Sequence, residues 1–263
     1  MTNYKPIPIY DSLEWDLTTE ACHTILLAPS GAGKTIFLSY LSAMLLKRGH
    51  KLYIIDAKNS SFGATFRSTG VYTASSAERI LCLLTSLVEQ MEHDYETIYS
   101  TDQVGLDDQV GLDTNFSDLN LPAHVLIFDE VLSALDSGDK KQKAEMERLL
   151  KLLALKGRLA GYIIVLTSQR LLATDLPKAV TEQCQTRYVM GANVSEELFH
   201  MGTGAYKKDL ASSYLGSVGK GYAVTPKLGL SYFEAPYMKY KPNDFRQLIY
   251  LFQRSGMSDD QND

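Results

Sequence analysis

The sequence predicts an α/β fold with a mostly parallel central sheet flanked by helices. Short apolar runs of strand length alternate along the chain with longer segments in which apolar residues recur every three or four positions. Several of these runs end in small, acidic or amide residues, as expected for strands whose carboxyl ends carry a ligand site. The 263 residues, 45% of them hydrophobic and 22% charged, are expected to form one domain over residues 1–263.

The first strand-loop-helix segment carries a phosphate-loop motif. HTILLA, residues 23–28, has the pattern of a buried strand, and residues 35–49 have that of a helix. A phosphate loop consists of a Gly, four residues and then Gly-Lys-Ser/Thr. Here Gly33, Lys34 and Thr35 match, and Ala28 takes the first position, where it only ends the strand. The expected phosphate-binding residues are Ala28, Pro29, Ser30, Gly31, Ala32, Gly33, Lys34, Thr35 and Ile36.

This loop has the donors that a nucleotide requires. Backbone N–H groups around Ser30 to Lys34, together with the positive end of the following helix, are expected to hold phosphate oxygens. Lys34 is expected to reach the β- and γ-phosphates, and the Thr35 hydroxyl to bind Mg²⁺. The sequence therefore predicts ATP and Mg²⁺ as cofactors.

Two later strands supply the remaining catalytic candidates. AHVLIFDEV, residues 123–131, ends in an acidic pair, of which Asp129 is expected to hold Mg²⁺ and Glu130 to polarise the attacking water. GYIIVLTSQR, residues 161–170, ends near Gln169, whose amide is expected to contact both the γ-phosphate and that water. The predicted catalytic residues of these strands are thus Glu130 and Gln169, acting with Lys34.

Further elements are expected between and after these strands. A strand is expected over residues 51–58, an amphipathic helix over residues 76–99, and a long helix over residues 140–156. Downstream lie a helix around 175–183, a strand at 185–191, a helical stretch at 195–201, a terminal strand pair at 221–226 and 230–236, and a last helix at 242–255. Phe245, Leu248, Ile249 and Phe252 form one face of that last helix and are expected in the core.

Two segments are expected outside the packed domain. The hexapeptide DQVGLD occurs twice in residues 102–113, which predicts an exposed loop over residues 101–120 with a local duplication. Its carboxylates lack the alternate spacing of a calcium-binding loop. The acidic end, residues 256–263, is expected to be disordered.

Composition limits the classes of protein to consider. A net charge of −5 argues against a protein whose whole surface binds nucleic acid, although a local basic lining in a ring is compatible with it. The three cysteines, Cys22, Cys82 and Cys184, have no metal or disulfide spacing. No segment has the roughly 18 apolar residues that cross a bilayer, so we expect a cytoplasmic protein without membrane insertion.

The order of these segments resembles the FtsK/SpoIIIE branch of the FtsK–HerA superfamily, from about Trp15 to Tyr237. The segments that carry the resemblance are APSGAGKT, YIIDAK, LVEQMEHDYE, VLIFDEV, KGRLAGYIIVLTSQR and GKGYAV. The fifth is the most specific, because the family places Gly-Arg-x-x-Gly before a strand that ends in Thr-Gln-Arg. This chain has Thr-Ser-Gln-Arg instead, and Leu171 replaces the proline that follows.

The resemblance implies a RecA-like P-loop NTPase domain that assembles as a hexamer and uses ATP to move double-stranded DNA through its pore. In the family, the arginine that matches Arg158 enters the neighbouring subunit's site. No upstream membrane helices and no downstream winged helix fit in this sequence, so it looks like a bare motor of a plasmid, conjugative or phage-like element. A relaxase-type or membrane partner protein, which would recruit the motor to a membrane, is left open.

Two other functions stay open at this point. The first is an ATPase of a protein secretion system, because type VII secretion ATPases of the same branch share these motifs; such ATPases usually string several motor domains on one chain, which favours DNA here. The second is a nucleotide-gated regulatory ring, which an intact Glu130 and Gln169 disfavour. The candidates for DNA contact in the pore are Lys207, Lys208 and Lys220, and nothing separates them from solvated surface lysines.

Overall fold

A computed structural model describes residues 2–98, 114–172, 174–191, 194–204 and 218–257. Its centre is an eight-stranded sheet with the strand order β10-β9-β8-β3-β7-β6-β4-β5. The strands of this sheet are β3 (Thr24–Leu27), β4 (Lys51–Asp56), β5 (Tyr72–Ala74), β6 (His124–Asp129), β7 (Tyr162–Ser168), β8 (Thr186–Met190), β9 (Lys220–Thr225) and β10 (Gly229–Glu234). The six strands from β8 to β5 are parallel, whereas β9 and β10 are antiparallel. The predicted α/β fold with a mostly parallel sheet is therefore confirmed.

Helices cover both faces of the sheet. They are α1 (Lys34–Lys47), α2 (Ser61–Arg67), α3 (Ala77–Ile98), α4 (Val131–Leu135), α5 (Lys140–Ala160), α6 (Lys178–Gln183), α7 (Glu196–Thr203) and α8 (Pro242–Met257). One core lies between the sheet and α3, α5 and α7, and a second between the sheet and α1, α2 and α8. Strands β6 and β7 are buried along their whole length because both of their faces meet helices. In the part of the chain described, no helix is both long and apolar enough to cross a membrane.

The predicted last helix is present, and three of its four predicted core residues lie in the core; Leu248 is only half-buried and belongs to neither core. Phe245 and Ile249 of α8 are buried, and Phe252 is partly buried against the same core. The Phe245 ring packs edge-on against Phe66 of α2, with 5.9 Å between the ring centroids. This packing fixes α8 on the outer side of α1 and α2.

The exposed loop predicted over residues 101–120 does not extend to its end. The DQVGLD repeat lies outside the described residues, as does the tail from residue 258 onwards. From Thr114 the chain packs against the domain, and Phe116 is completely buried. The Phe116 ring lies directly over Gly161 at the end of α5, so an apolar contact holds this part of the segment in place.

Five short elements were not predicted from the sequence. These are α2, α4, β5 and an N-terminal hairpin of β1 (Ile7–Tyr10) and β2 (Leu13–Trp15). The hairpin is held by the buried Trp15, whose indole N–H donates a hydrogen bond to the Cys22 carbonyl (2.9 Å). Elements of three to seven residues contain too few positions for a hydrophobic period to be recognised.

The end of α5 explains both glycines of the Gly-Arg-x-x-Gly segment. A Cβ on Gly157 would lie 2.2 Å from the carbonyl oxygen of Tyr162, so the helix can approach β7 closely only without a side chain there. Gly161 has a φ of 80° and ends the helix in the left-handed conformation that glycine adopts at low cost. These two residues set how α5 leads into β7.

We expect Gly157→Ala to destabilise the protein. The gain in helix propensity of about 1 kcal/mol is smaller than the cost of the overlap with a backbone carbonyl in a central strand. The net loss in the free energy of unfolding should be about 2 kcal/mol, measured by urea denaturation. Lys156→Ala, an exposed change one residue earlier, should alter it by less than about 0.5 kcal/mol. An unchanged or increased stability of Gly157→Ala would contradict this account of the helix end.

Candidate nucleotide-binding site

The candidate site is an open cleft of about 430 Å³ at the carboxyl edge of the parallel strands. Because β3, β7, β6 and β4 are parallel neighbours, the residues that follow each of them meet at this edge. Ala28, Pro29, Ser30, Gly31, Gly33, Lys34, Thr35, Ile36, Lys58, Ser60, Ser61, Asp129, Glu130, Gln169 and Val218 line the cleft. Every residue predicted for the site is among them except Ala32 and Arg158.

The loop between β3 and α1 has the conformation of an anion-binding turn. Gly31 and Gly33 have φ values of 80° and 99°, which side chains rarely permit. Ala28 is completely buried, and its N–H donates a hydrogen bond to the Ser168 carbonyl (3.0 Å). Its methyl group, which replaces the hydrogen of the usual glycine, is therefore packed at the end of β3. Helix α1 begins directly after Gly33 and points its positive end into the cleft.

Ala32 faces away from the cleft and connects the loop to β9. Its carbonyl accepts a hydrogen bond from the N–H of Gly219 (2.8 Å), just before β9 begins. The contact is so close that a Cβ on Gly33 would lie 2.8 Å from the same nitrogen. The phosphate loop and the 218–219 turn are therefore in backbone contact.

Lys34 lies between the two carboxylates at the end of β6. Its Nζ is 2.8 Å from Asp129 Oδ1 and 3.4 Å from Glu130 Oε2. Both acidic side chains are nearly buried, so the ammonium compensates charge that water cannot reach. The cluster thus places one cation beside two anions at the end of the phosphate loop.

The Thr167 hydroxyl joins this cluster from β7. It donates to Asp129 Oδ1 (2.7 Å) and accepts the backbone N–H of Glu130 (3.0 Å). Thr167 is completely buried, so these bonds satisfy both groups without water. The hydroxyl fixes the end of β6 relative to β7.

Glu130 has both carboxylate oxygens engaged. Oε1 accepts from the N–H of Gln169 (3.1 Å) and the hydroxyl of Ser168 (3.3 Å), while Oε2 lies 3.4 Å from the ammonium groups of Lys34 and Lys58. Its backbone is left-handed, with φ 55° and ψ 64°, a conformation that costs a non-glycine residue energy and often marks a functional position.

These contacts set the ionisation of Glu130. Burial acts to raise the pKa of the carboxyl group, but the hydrogen bond from Gln169 and the two nearby ammonium groups outweigh it. The pKa of Glu130 therefore lies below its ordinary value, and the group is an ionised base at neutral pH. A carboxylate with a lowered pKa is a weaker base, so the position of Glu130 matters as much as its charge.

Gln169 contacts the phosphate loop directly. Its side-chain Oε1 accepts a hydrogen bond from the Ser30 hydroxyl (3.1 Å), and its backbone N–H bonds to Glu130. One residue therefore contacts both the loop and the candidate base. A change in the position of the loop can reach Glu130 through it.

Thr35 and Asp129 fit a Mg²⁺ site completed by phosphate and water. Thr35 is exposed at the first turn of α1 and lines the cleft with its hydroxyl-bearing side chain. Asp129 has its Oδ1 bonded to Lys34 and Thr167, which leaves the other oxygen for a water ligand. Mg²⁺ prefers such oxygen ligands and usually takes few of them from the protein.

Arg158 does not join the cleft of its own chain. It lies in the last turn of α5, before the amino end of β7 and near Cys22 and His23. Burial raises the pKa of the Cys22 thiol and lowers that of the His23 imidazole, and the charge of Arg158 makes a smaller contribution to each. The seven residues of β7 span roughly 20 Å, so the guanidinium lies near the amino ends of the parallel strands and the phosphate loop near their carboxyl ends. This agrees with the expected emergence of Arg158 away from its own phosphate loop.

Lys220 is a poor candidate for a DNA contact. Its ammonium lies 3.1 Å from Glu234 Oε1 across the β9–β10 pair, so a carboxylate already compensates its charge. Lys207 and Lys208 lie outside the described residues.

Sequence reasoning missed Lys58, Thr167 and Ser168 as site residues. Thr167 and Ser168 could have been found, because they are the polar residues at the end of an otherwise apolar strand. Lys58 ends the strand predicted over residues 51–58, but nothing local separates it from a solvated lysine, since its contact with Glu130 depends on β4 and β6 lying side by side.

Comparisons with known proteins agree with this geometry. The chain is 26% identical over 220 residues to YdcQ, an FtsK domain-containing protein of Bacillus subtilis (strain 168); the match covers 82% of this chain and 43% of YdcQ. No protein-family model matches. The expected resemblance to FtsK-type proteins is thereby confirmed, although this chain matches less than half of that relative.

Solved structures share the fold. The pCW3 conjugation coupling protein TcpA, in a monomer form with ATPγS, has a TM-score of 0.73 at 18% identity, over 92% of this chain and 70% of that one. The cytoplasmic domain of the Thermomonospora curvata type VII secretion ATPase EccC has a TM-score of 0.70 at 18% identity, over 96% and 31%. These matches confirm the RecA-like P-loop ATPase fold.

Proposed function

We propose that this chain, which has the fold of FtsK-type ATPases, hydrolyses ATP and uses the energy to move double-stranded DNA through a hexameric ring. The biological setting that we propose is a plasmid, a conjugative element or a phage-like element. A relaxase-type or membrane protein would be the partner that recruits the motor. ATP with Mg²⁺ is the proposed cofactor pair.

The observation that carries the ATPase proposal is the arrangement of Lys34, Asp129 and Glu130 beside the phosphate loop. The loop and the α1 N-terminus offer N–H donors to phosphate oxygens, while Lys34 offers a positive charge. Glu130 is ionised and one residue beyond a candidate Mg²⁺ ligand, which is where a base for the attacking water is needed. Mg²⁺, when bound, would neutralise charge on the phosphates.

Each residue has a separate role in this proposal. Phosphate binding competes with the two carboxylates for the ammonium of Lys34, because all are anions within its reach. Glu130 then accepts a proton from the attacking water, while Gln169 relates the state of the loop to Glu130 through its two hydrogen bonds. These steps use only groups that the cleft already brings together.

Double-stranded DNA is the cargo that we favour, on the resemblance to FtsK/SpoIIIE translocases and the similarity to an FtsK domain-containing relative. Protein is the second candidate cargo, because the type VII secretion ATPase EccC shares the fold almost as closely. A regulatory ring with little hydrolysis is less favoured, since the base and its supporting hydrogen bonds are intact.

Lys34→Ala and Glu130→Gln should have different effects. The first removes the charge that contacts the phosphates, so ATP affinity should fall at least about tenfold. The second keeps the shape but removes the base, so affinity should persist while turnover falls by about 10² or more. Binding of a fluorescent ATP analogue and phosphate release measure the two effects. Hydrolysis by Glu130→Gln at the wild-type rate would show that Glu130 is not the base.

Linear duplex DNA should stimulate the ATPase, and the stimulation should decline steeply as salt is added. The contact is expected on phosphates, whose binding depends on counterion release and not on base sequence. Duplexes of unrelated sequence should therefore stimulate equally. A flat response to DNA at low salt, together with stimulation by a protein substrate, would favour the secretion function instead.

Arg158 should act on the site of a neighbouring subunit. Arg158→Ala should lower turnover by about 10³ or more, because a guanidinium can neutralise charge that develops on the γ-phosphate. Mixing inactive Arg158→Ala with inactive Lys34→Ala subunits should restore some activity, since some interfaces pair an intact loop with an intact arginine.

The control is each inactive variant alone, with native mass spectrometry to show that mixed rings form. No recovery in mixed rings would contradict an arginine that acts between subunits. Full activity of Arg158→Ala would remove this residue from the site.

A further inference from the structure

Lys58 is the second cation at the candidate base. It follows β4 by two residues, and its Nζ lies 3.4 Å from Glu130 Oε2, the same oxygen that Lys34 contacts. The Lys58 side chain is 47% exposed, whereas that of Glu130 is 6% exposed. The lysine therefore reaches from the rim of the cleft to a carboxylate that is almost buried.

The turn that carries Lys58 is held in place by a buried carboxylate. Asp56 Oδ2 accepts hydrogen bonds from the N–H and the hydroxyl of Ser60 (2.7 and 2.9 Å) and from the N–H of Gly63 (3.2 Å). Asp56 is completely buried, and a Cβ on Gly63 would lie 2.3 Å from its Oδ2. Helix α2 can thus begin directly over Asp56 only because residue 63 is a glycine.

The same turn contains a left-handed residue. Asn59 has a φ of 51°, and its N–H donates to the Asp56 carbonyl (3.1 Å). Arg67 of α2 donates to the Asn59 side chain (3.0 Å). Lys58 is therefore attached to a backbone fixed from both sides, which makes its approach to Glu130 a property of the fold.

The two lysines at Glu130 differ in what else they can contact. Lys34 starts α1 in the phosphate loop, so a bound phosphate competes for its ammonium. Lys58 approaches Glu130 from the turn after the neighbouring strand β4. When Lys34 turns to phosphate, Lys58 is, among the residues that the structure describes, the cation left at Oε2.

We propose that Lys58 is a positioning residue that holds the Glu130 carboxylate in its cleft-facing orientation after Lys34 has engaged the phosphates. The inference rests on the proposed ATPase function. It explains why two lysines contact the same oxygen of Glu130: Lys34 binds the phosphates, and Lys58 orients the base. Lys58 acts through Glu130 and needs no contact of its own with the nucleotide.

Loss of Lys58 should lower turnover more than nucleotide affinity. Lys58 contacts the Glu130 carboxylate at Oε2, whereas Lys34 and the phosphate loop are the groups proposed to bind the phosphates. Replacing the Lys58 ammonium removes a contact of the base and leaves the phosphate loop unchanged. The rate of hydrolysis should therefore fall while nucleotide binding persists.

The experiment compares wild type, Lys58→Met and Lys58→Arg. Lys143→Met is the matched control, because Lys143 is 42% exposed and paired with Asp136, away from the cleft. Phosphate release is measured at saturating ATP, the affinities for ATPγS and ADP are measured by displacement of a fluorescent nucleotide, and thermal unfolding verifies the fold. The three readouts separate catalysis, binding and stability.

Lys58→Met should lower turnover at neutral pH by about tenfold or more. Affinities for both nucleotides should stay within about threefold of wild type, and Lys58→Arg should recover most of the rate because it restores the charge. Lys143→Met should match wild type in every readout.

Three outcomes would overturn the inference. Wild-type turnover in Lys58→Met, alongside an active wild type, would overturn it alone. A loss of ATPγS affinity without a loss of ADP affinity would place Lys58 on the γ-phosphate instead. A wild-type protein without ATPase activity would overturn the proposed function, and this inference with it.

Discussion

The rest of the site depends on the ion pair between Lys34 and the two acidic residues that end β6. Two nearly buried carboxylates in consecutive positions repel each other and lose hydration, so they are tolerated only with cations and hydrogen-bond donors around them. Lys34 supplies the cation from α1, and Thr167 supplies the hydroxyl from β7. Three elements distant in sequence must therefore meet within hydrogen-bonding distance, which the parallel order β3-β7-β6 accomplishes.

The same cluster explains why strained backbone persists at this edge. Glu130 and Asn59 both have positive φ values; Glu130 lies directly after β6, and Asn59 lies in the turn between β4 and α2. A left-handed non-glycine residue costs of order 1 kcal/mol or more, so neighbouring contacts must hold it. At Glu130 these are the N–H bond to Thr167 and the carboxylate bonds to Ser168 and Gln169. The strain keeps the carboxylate turned toward β7 and the cleft.

Much of the fold and most of the cleft could be predicted from the sequence, for reasons that differ between elements. β6 and β7 are long apolar runs buried on both faces, and α5 has a clear apolar period, so local pattern sufficed. The phosphate loop was found because one short segment carries nearly all of its chemistry. Lys58 was not found, because its contact with Glu130 joins residues 72 positions apart that neighbour each other only through the β4–β6 register.

Strand β7 connects the two sites on which the proposed motor depends, one at each end of the strand. Arg158 and the glycine that ends α5 lie before its first residue, and Thr167 and Ser168, which bond to the acidic pair, are its last two. The strand is completely buried between β3 and β6, so it moves with the sheet and bends little. In the proposed ring, Arg158 of one subunit contacts the nucleotide of the neighbouring subunit. Through β7, this arginine is rigidly connected to Glu130 of its own subunit. In this proposal, β7 therefore couples neighbouring nucleotide sites mechanically.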